Sequence, residues 1–173
     1  MAWAKTSKTN EPENLEKAYE YSVFLLSLQL RTEGEVREKM GRRGYTSDTI
    51  NIIVKRLVDQ KYLNDQKYAE VYLENLKQYK NFGFYGIKKK FMEKKLPPNI
   101  IESILKEGLT VVDEIKIAKR FLKKEGVVVK PKSQDDENQY NIFNEELSKE
   151  KEKLITRLKA RGFRGEVVAR LVF

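Results

Sequence analysis

Apolar residues recur along most of this chain at intervals of three and four, the period of an α-helix that buries one face. Ala18, Tyr21, Ser22, Leu25, Leu26 and Gln29 place small and apolar groups on one side of a predicted helix running from about Leu15 to Leu30. Thr32 followed by Glu35 gives the start of a capping box, Val36, Met40 and Arg43 keep the helical interval, and Gly44 stops it. Thr46 or Ser47 can cap the next helix, in which Ile50, Ile53, Val54 and Leu57 form a buried stripe that runs out near Lys61 and Tyr62. Residues 15–63 therefore read as one three-helix unit, and residues 1–14 as a flexible lead-in.

The pattern returns. At an offset of 51, Ala18, Tyr21, Leu25, Val36, Met40, Tyr45, Ile50 and Ile53 correspond to Ala69, Tyr72, Leu76, Ile87, Phe91, Leu96, Ile101 and Ile104. At an offset of 118, Val36, Met40, Gly44, Tyr45, Ile50 and Ile53 correspond to Leu154, Leu158, Gly162, Phe163, Val168 and Leu171. These offsets predict a second unit over 64–108 and a third over 109–173. The third begins with a helix from Asp113 to Glu125 that turns Ile117, Ala118, Phe121 and Leu122 inward. Its wider offset marks an inserted loop at about 127–144, where Gly126, Pro131 and the polar run SQDDENQ lie. Units of about 50 residues bury too little surface alone, so neighbours stack and complete the core. The expected class is all-α, three tandem three-helix repeats stacked into an elongated, curved array.

Composition agrees with this and removes much chemistry. Lys, Glu, Leu and Arg dominate, whereas nine glycines, four prolines and scattered β-branched residues leave little for strands. The chain has no cysteine and no histidine, which excludes disulfides, thiolate nucleophiles, thiol- or imidazole-ligated metals and histidine acid/base catalysis. Its apolar runs fall far short of the roughly 20 residues of a spanning helix. The polar first ten residues lack the apolar core of a secretory signal, so a cytoplasmic protein is expected. A net charge of +9 favours an anionic partner.

Three stretches then carry a family resemblance. Arg31 to Tyr45 reads RTEGEVREKMGRRGY, Tyr62 to Ala69 reads YLNDQKYA, and the last repeat carries KLITRLKARGF. In the second repeat Gly83, Gly86 and Ile87 precede a helix ending in KKLPP. Taken together over Glu16 to Phe173, these resemble the RecX family of bacterial regulators of the RecA recombinase. Lys95 stands where that family shows a helix-terminating glycine, and the insertion at 127–144 is longer than expected. The resemblance implies a protein that lies in the groove of the RecA nucleoprotein filament. There it inhibits or modulates ATP hydrolysis, strand exchange and cleavage of the SOS repressor, with no catalytic residue and no cofactor of its own. The partners implied are a RecA-type recombinase filament and single- and double-stranded DNA, bound weakly and without sequence preference. No membrane partner is expected, and the chain is expected to be a monomer.

The positive charge is clustered. Seven lysines lie between Lys77 and Lys95 against Glu93 alone, and Lys116 to Lys124 holds five bases and no acid. In the third repeat Lys151, Lys153, Arg157, Lys159, Arg161 and Arg164 oppose only Glu152. Each group gathers on a helix or its exit, so stacking predicts a basic stripe that contacts phosphates. The candidates for filament and DNA binding are Arg42, Arg43, Lys88, Lys89, Lys90, Lys94, Lys95, Lys119, Arg120, Lys123, Lys124, Arg157, Lys159, Arg161 and Arg164. Arg42 and Arg43 also suit the negative end of a helix dipole without any ligand, and a single lysine by itself reads equally well as a solvated helix face.

Acids cluster as well, at Asp135, Asp136, Glu137, Glu145, Glu146 and Glu150, where a solvated loop is the simpler reading and contact with a basic protein surface the functional one. Tyr21, Tyr45, Tyr72, Phe91, Phe121 and Phe163 follow the packing stripes, whereas Tyr79, Phe82, Phe84 and Tyr85 lie beside the lysines as candidates for base stacking. Gly83 and Gly86 are not a phosphate loop, since no GK[ST] follows, and are expected to turn the chain between helices. The alternative to a filament regulator is a non-specific DNA-binding helical protein with no recombinase partner. A nuclease would need a carboxylate cluster at inward positions, and the repeats supply none.

Overall fold

The computed structural model describes residues 8–126 and 144–172, with side chains of the last stretch described from Lys149 onward. Trp3, the insertion at 127–143 and the acids Asp135, Asp136, Glu137, Glu145 and Glu146 lie outside these described side chains. Among the described residues all regular structure is helical, and it runs α1 Leu15–Leu28, α2 Glu33–Arg43, α3 Ser47–Asp59, α4 Asp65–Tyr79, α5 Phe84–Glu93, α6 Pro98–Gly108, α7 Val111–Lys124, α8 Asn144–Ala160 and α9 Gly165–Val172. Short connections join successive helices throughout, except between Lys124 at the end of α7 and Asn144 at the start of α8. This is the all-α repeat organisation that the offsets of 51 and 118 predict.

Local chemistry sets the boundaries. Thr32 accepts the Glu35 N–H while the Glu35 side chain accepts the Thr32 N–H, a complete capping box. Gly44 closes α2 in the left-handed region at φ 96°, its N–H donating to the Met40 carbonyl. Thr46, not Ser47, caps α3. Helix α1 ends at Leu28, two residues short of the expectation. Gln29 is already extended, because Thr32 must be extended to cap α2 and Arg31 turns back to donate from Nε to the Leu25 carbonyl. Helix α7 begins at Val111, two residues earlier than expected, because Thr110 and Asp113 form a second capping box. A threonine cap contributes about 1 kcal/mol, whereas each buried Leu, Ile, Met or Phe contributes about 1.5–3 kcal/mol. Caps therefore fix where helices start, and packing decides that they persist.

The described chain divides into two compact units, Met1–Val71 with Phe91–Ile101, and Tyr72–Lys90 with Glu102–Phe173. In the first, Ala18, Val36, Met40, Tyr45, Ile50, Ile53, Val54, Leu57 and Leu63 form one core cluster, flanked by Tyr19, Tyr21 and Leu26. Buried Ser22 returns its hydroxyl proton to the Ala18 carbonyl, so it enters this core without an unsatisfied donor. In the second unit Ile117, Ala118, Phe121 and Leu122 of α7 are buried as expected, together with Leu158, Phe163, Val167 and Val168. Phe121 and Phe163 stack with centroids 6.5 Å apart. Tyr45, Phe91, Phe121 and Phe163 are core residues, while Tyr21 and Tyr72 are half-buried.

Candidate nucleic-acid interface

The cations of the second unit are positioned by a joint between the start of α5 and the turn that follows α8. Gly83 donates its N–H to the Arg161 carbonyl and Tyr85 to the Gly162 carbonyl, at 3.0 and 2.8 Å. A β-carbon on Gly83 would overlap the Phe163 backbone, and one on Gly86 would fall 2.4 Å from the Arg161 carbonyl oxygen if Arg161 stayed in place. These glycines are needed for backbone crossing, and Gly86 lies inside α5 rather than at a turn, which corrects the sequence expectation. Gly162 sits at φ 79°, closing α8 as Gly44 closes α2. The joint centres on Glu114, a fully buried carboxylate on α7. Its Oε1 accepts the Phe84 N–H at 3.0 Å and the Arg164 N–H at 2.8 Å, and its Oε2 accepts Arg164 Nε–H at 2.5 Å. One side chain thereby satisfies a donor at the start of α5 and another just before α9.

The first unit repeats the device with different chemistry. Asp65, which lies four residues before Ala69 as Glu114 lies four before Ala118, accepts the Glu33 N–H at the start of α2 through Oδ1 at 2.8 Å. Thr32 donates its hydroxyl to the Lys94 carbonyl, and Lys94 Nζ reaches Glu35 at 3.0 Å. By repeat position Pro97 stands where Arg164 stands in the second unit, so Asp65 lacks the guanidinium that Glu114 has. Asp65 is 4% exposed and its Oδ2 has no hydrogen-bond partner. Burial pushes its carboxyl above the usual aspartate value, and the nearby Glu33 and Glu35 charges push the same way. Lys95 closes α5 at φ 58°, a left-handed lysine at the position the other repeats give to glycine.

The predicted site residues fall into two groups. Several are occupied in holding the fold. Arg164 is bound to Glu114, and Lys94 to Glu35. Arg120 donates to the Lys77, Gln78 and Lys80 carbonyls and to Asn81 Oδ1, which clamps the end of α4. Arg42 pairs with Glu38 one turn earlier, and half-buried Arg43 covers the Tyr21 ring at 5.4 Å. The others offer charge outward. Lys89, Lys119, Lys123, Lys124 and Lys159 are exposed, as are Lys95 and, 3.7 Å from Glu125, Arg157. Half-buried Lys90 and exposed Arg161 are brought to the same ring, Phe82, at 5.6 and 5.8 Å, and Arg161 also lies 5.0 Å from Phe121. Half-buried Lys88 lines a shallow cavity with Lys106, a lysine the charge clusters did not single out. Exposed Tyr85 lies on α5 with Lys88, Lys89 and Lys90, exposed Tyr79 ends α4, and Phe82 and Phe84 are half-buried.

Exposed ammonium and guanidinium groups beside accessible aromatic faces are suited to phosphates and unpaired bases. Among the described residues no group of carboxylates is arranged to hold a metal ion, and no helix is long and apolar enough to cross a membrane.

Comparison with known proteins bears on both fold and lineage. A family model described as RecX, first three-helix domain, matches residues 18–57. The regulatory protein RecX of Trichlorobacter lovleyi is 24% identical over 128 residues, covering 74% of this chain and 81% of that protein. The regulatory protein RecX of Streptococcus mutans is 30% identical over 103 residues, covering 60% of this chain and 40% of that protein. The chain thus spans most of one relative and well under half of the other. The crystal structure of RecX from Lactobacillus salivarius superposes with a TM-score of 0.71 at 23% identity, over 91% of this chain and 94% of that one. A second crystal structure, of a regulatory protein RecX, gives 0.73 at 21% identity, over 91% and 72%.

Proposed function

The chain belongs to the RecX family, and from that premise we propose that it is a non-catalytic regulator that binds a RecA-type recombinase filament on DNA and lowers its activity. The activities affected are ATP hydrolysis, strand exchange and stimulation of SOS repressor cleavage, in the setting of DNA repair and recombination in the cytoplasm. The observation that carries the reading is family membership joined to outward cations on the second unit. Lys89 on α5, Lys119, Lys123 and Lys124 on α7, and Lys159 on α8 are exposed, as a surface that meets a polyanion requires. DNA binding by the free protein is weak, non-specific and set by salt, since phosphate contacts carry no sequence information.

The test adds purified protein to a recombinase filament preformed on single-stranded DNA and follows ATP hydrolysis. Turnover falls with increasing protein, and the double variant Lys119→Glu, Lys123→Glu is a weaker inhibitor with an unchanged melting temperature. Unaltered turnover at saturating protein refutes the proposal. DNA binding without any effect on the filament would instead make the chain a plain non-specific DNA-binding protein.

A further inference from the structure

Helix α5, helix α6 with the residue that follows it, and the residue preceding α9 line a shallow, open cavity of about 290 Å³ in the second unit. Its apolar lining is Leu105 and Leu109, both buried, with half-buried Phe84. Lys88 from α5, Lys106 from α6 and Arg164 contribute the cationic groups, and Glu102 the single carboxylate. The Arg164 guanidinium lies 5.1 Å from the Phe84 ring centroid and is fixed there by Glu114, so a planar cation and an aromatic ring are held together before any ligand arrives. Because Glu114 already neutralises Arg164, the charge available to an incoming anion comes from Lys88 and Lys106.

We propose that this cavity receives one unpaired nucleobase, with the adjoining phosphates held by Lys88 and Lys106. Three features fit a nucleotide together. The volume is at the small end for ligand sites, which run from about 300 to 1,000 Å³, and so suits a single ring system. The half-buried Phe84 ring and the guanidinium fixed beside it offer a planar surface that every base can use whatever its sequence, with Leu105 and Leu109 as the apolar floor. The two lysines complement a phosphate, while Glu102 is placed to accept from a base amino or imino group. A duplex keeps its bases stacked inside and presents only the phosphates, so it would use the lysines and leave the lining empty. The site therefore prefers a single strand over a duplex.

The inference deepens the filament reading by naming what the free protein takes from DNA, yet its test involves no recombinase and can fail independently. The full chain is titrated at low salt into a fluorescent oligothymidylate of about 20 nucleotides and into an abasic strand of equal length and charge. The parent binds the base-bearing strand about tenfold more tightly, as the stacking of one or two bases implies. Lys88→Glu with Lys106→Glu abolishes that preference and weakens both complexes. Lys55→Glu, an exposed lysine on α3, weakens both modestly and keeps the preference. Equal binding of the two strands by the parent, or a preference that survives in the double variant, overturns the proposal. So does a double variant that binds DNA like the parent but no longer captures the recombinase, because the cavity would then accept an acidic protein segment.

Discussion

Two carboxylates hold equivalent places in the two units, and their surroundings predict opposite responses to removal. Glu114→Ala strips a fully buried acceptor from the Phe84 N–H, the Arg164 N–H and the Arg164 side chain. Removing one member of a buried ion pair costs about 3–5 kcal/mol, and orphaned amide donors add to it. Arg164 keeps 24% of its side chain exposed, so water takes up part of its lost pairing and the low end, about 3 kcal/mol, applies. For a chain of this length that lowers the melting temperature by about 10 °C. Asp65→Asn keeps an oxygen for the Glu33 N–H and removes a buried charge that faces the Glu33 and Glu35 charges. That variant is at least as stable as the parent at neutral pH.

The pH dependence separates the two cases further. Asp65 has a folded pKa above its ordinary 3.8, so between those values the folded chain binds more proton than the unfolded one. Stability contributed by this group is present at low pH and is lost as pH rises through that window. The gap between Asp65→Asn and the parent therefore opens in favour of the variant as pH climbs past about 4 and stays open above the folded pKa. Urea unfolding followed by circular dichroism at several pH values measures both variants. A Glu114→Ala loss under 1 kcal/mol, or an Asp65→Asn loss comparable to that of Glu114→Ala, would refute this account of the joints.

Three further outcomes follow from single positions. Lys95→Gly relieves a left-handed φ of 58° that costs a non-glycine residue about 1–2 kcal/mol, set against a smaller entropic loss, so thermal unfolding should show a gain of up to about 1 kcal/mol. Gly34→Ala places a β-carbon 2.5 Å from the Lys95 carbonyl oxygen, and overpacking of this kind lowers stability by about 1–3 kcal/mol in the same assay. Lys119→Glu with Lys123→Glu reduces the slope of log affinity for duplex DNA against log salt, by about 0.9 for each phosphate the variant no longer neutralises, whereas an unchanged slope would place the phosphates elsewhere.

Much of the fold was legible because helical repeats announce themselves at several levels at once. The Thr32 and Glu35 box, the Gly44 stop and the stripes of Ile53, Leu57, Ile117 and Phe121 all took the places that spacing assigned. The boundaries that slipped did so through pairings that periodicity does not weigh. Arg31 reaching the Leu25 carbonyl shortened α1, and Thr110 with Asp113 lengthened α7 at its start. Gly83 and Gly86 looked like punctuation but serve as surfaces for another backbone, because a glycine that permits a turn and one that permits an approach are the same letter. The repeat alignment did hold a usable signal for the joints. Asp65 and Glu114 share one buried place before Ala69 and Ala118, which corrects the expectation that the repeats supply no inward acid, and each serves as a cap for a neighbouring helix rather than as a metal ligand.

The candidate surface was harder to read, because a charge count treats every cation alike. Arg120, Arg164 and Lys94 belong to the same clusters as Lys119, Lys123 and Lys89, yet the first three spend their donors on carbonyls and carboxylates of the fold. Geometry divides the two groups: an arginine fork fits several carbonyls at the end of a helix, as Arg120 does at the end of α4, whereas the lysines of α7 present single charges to solvent. Charge reversal at Arg120 should therefore destabilise the second unit, while reversal at Lys119 leaves its melting unchanged and acts on DNA affinity alone. Under the proposed filament reading, the exposed Lys89, Lys119, Lys123, Lys124 and Lys159 are the cations expected to carry binding, and charge reversal at these positions is the perturbation that tests it.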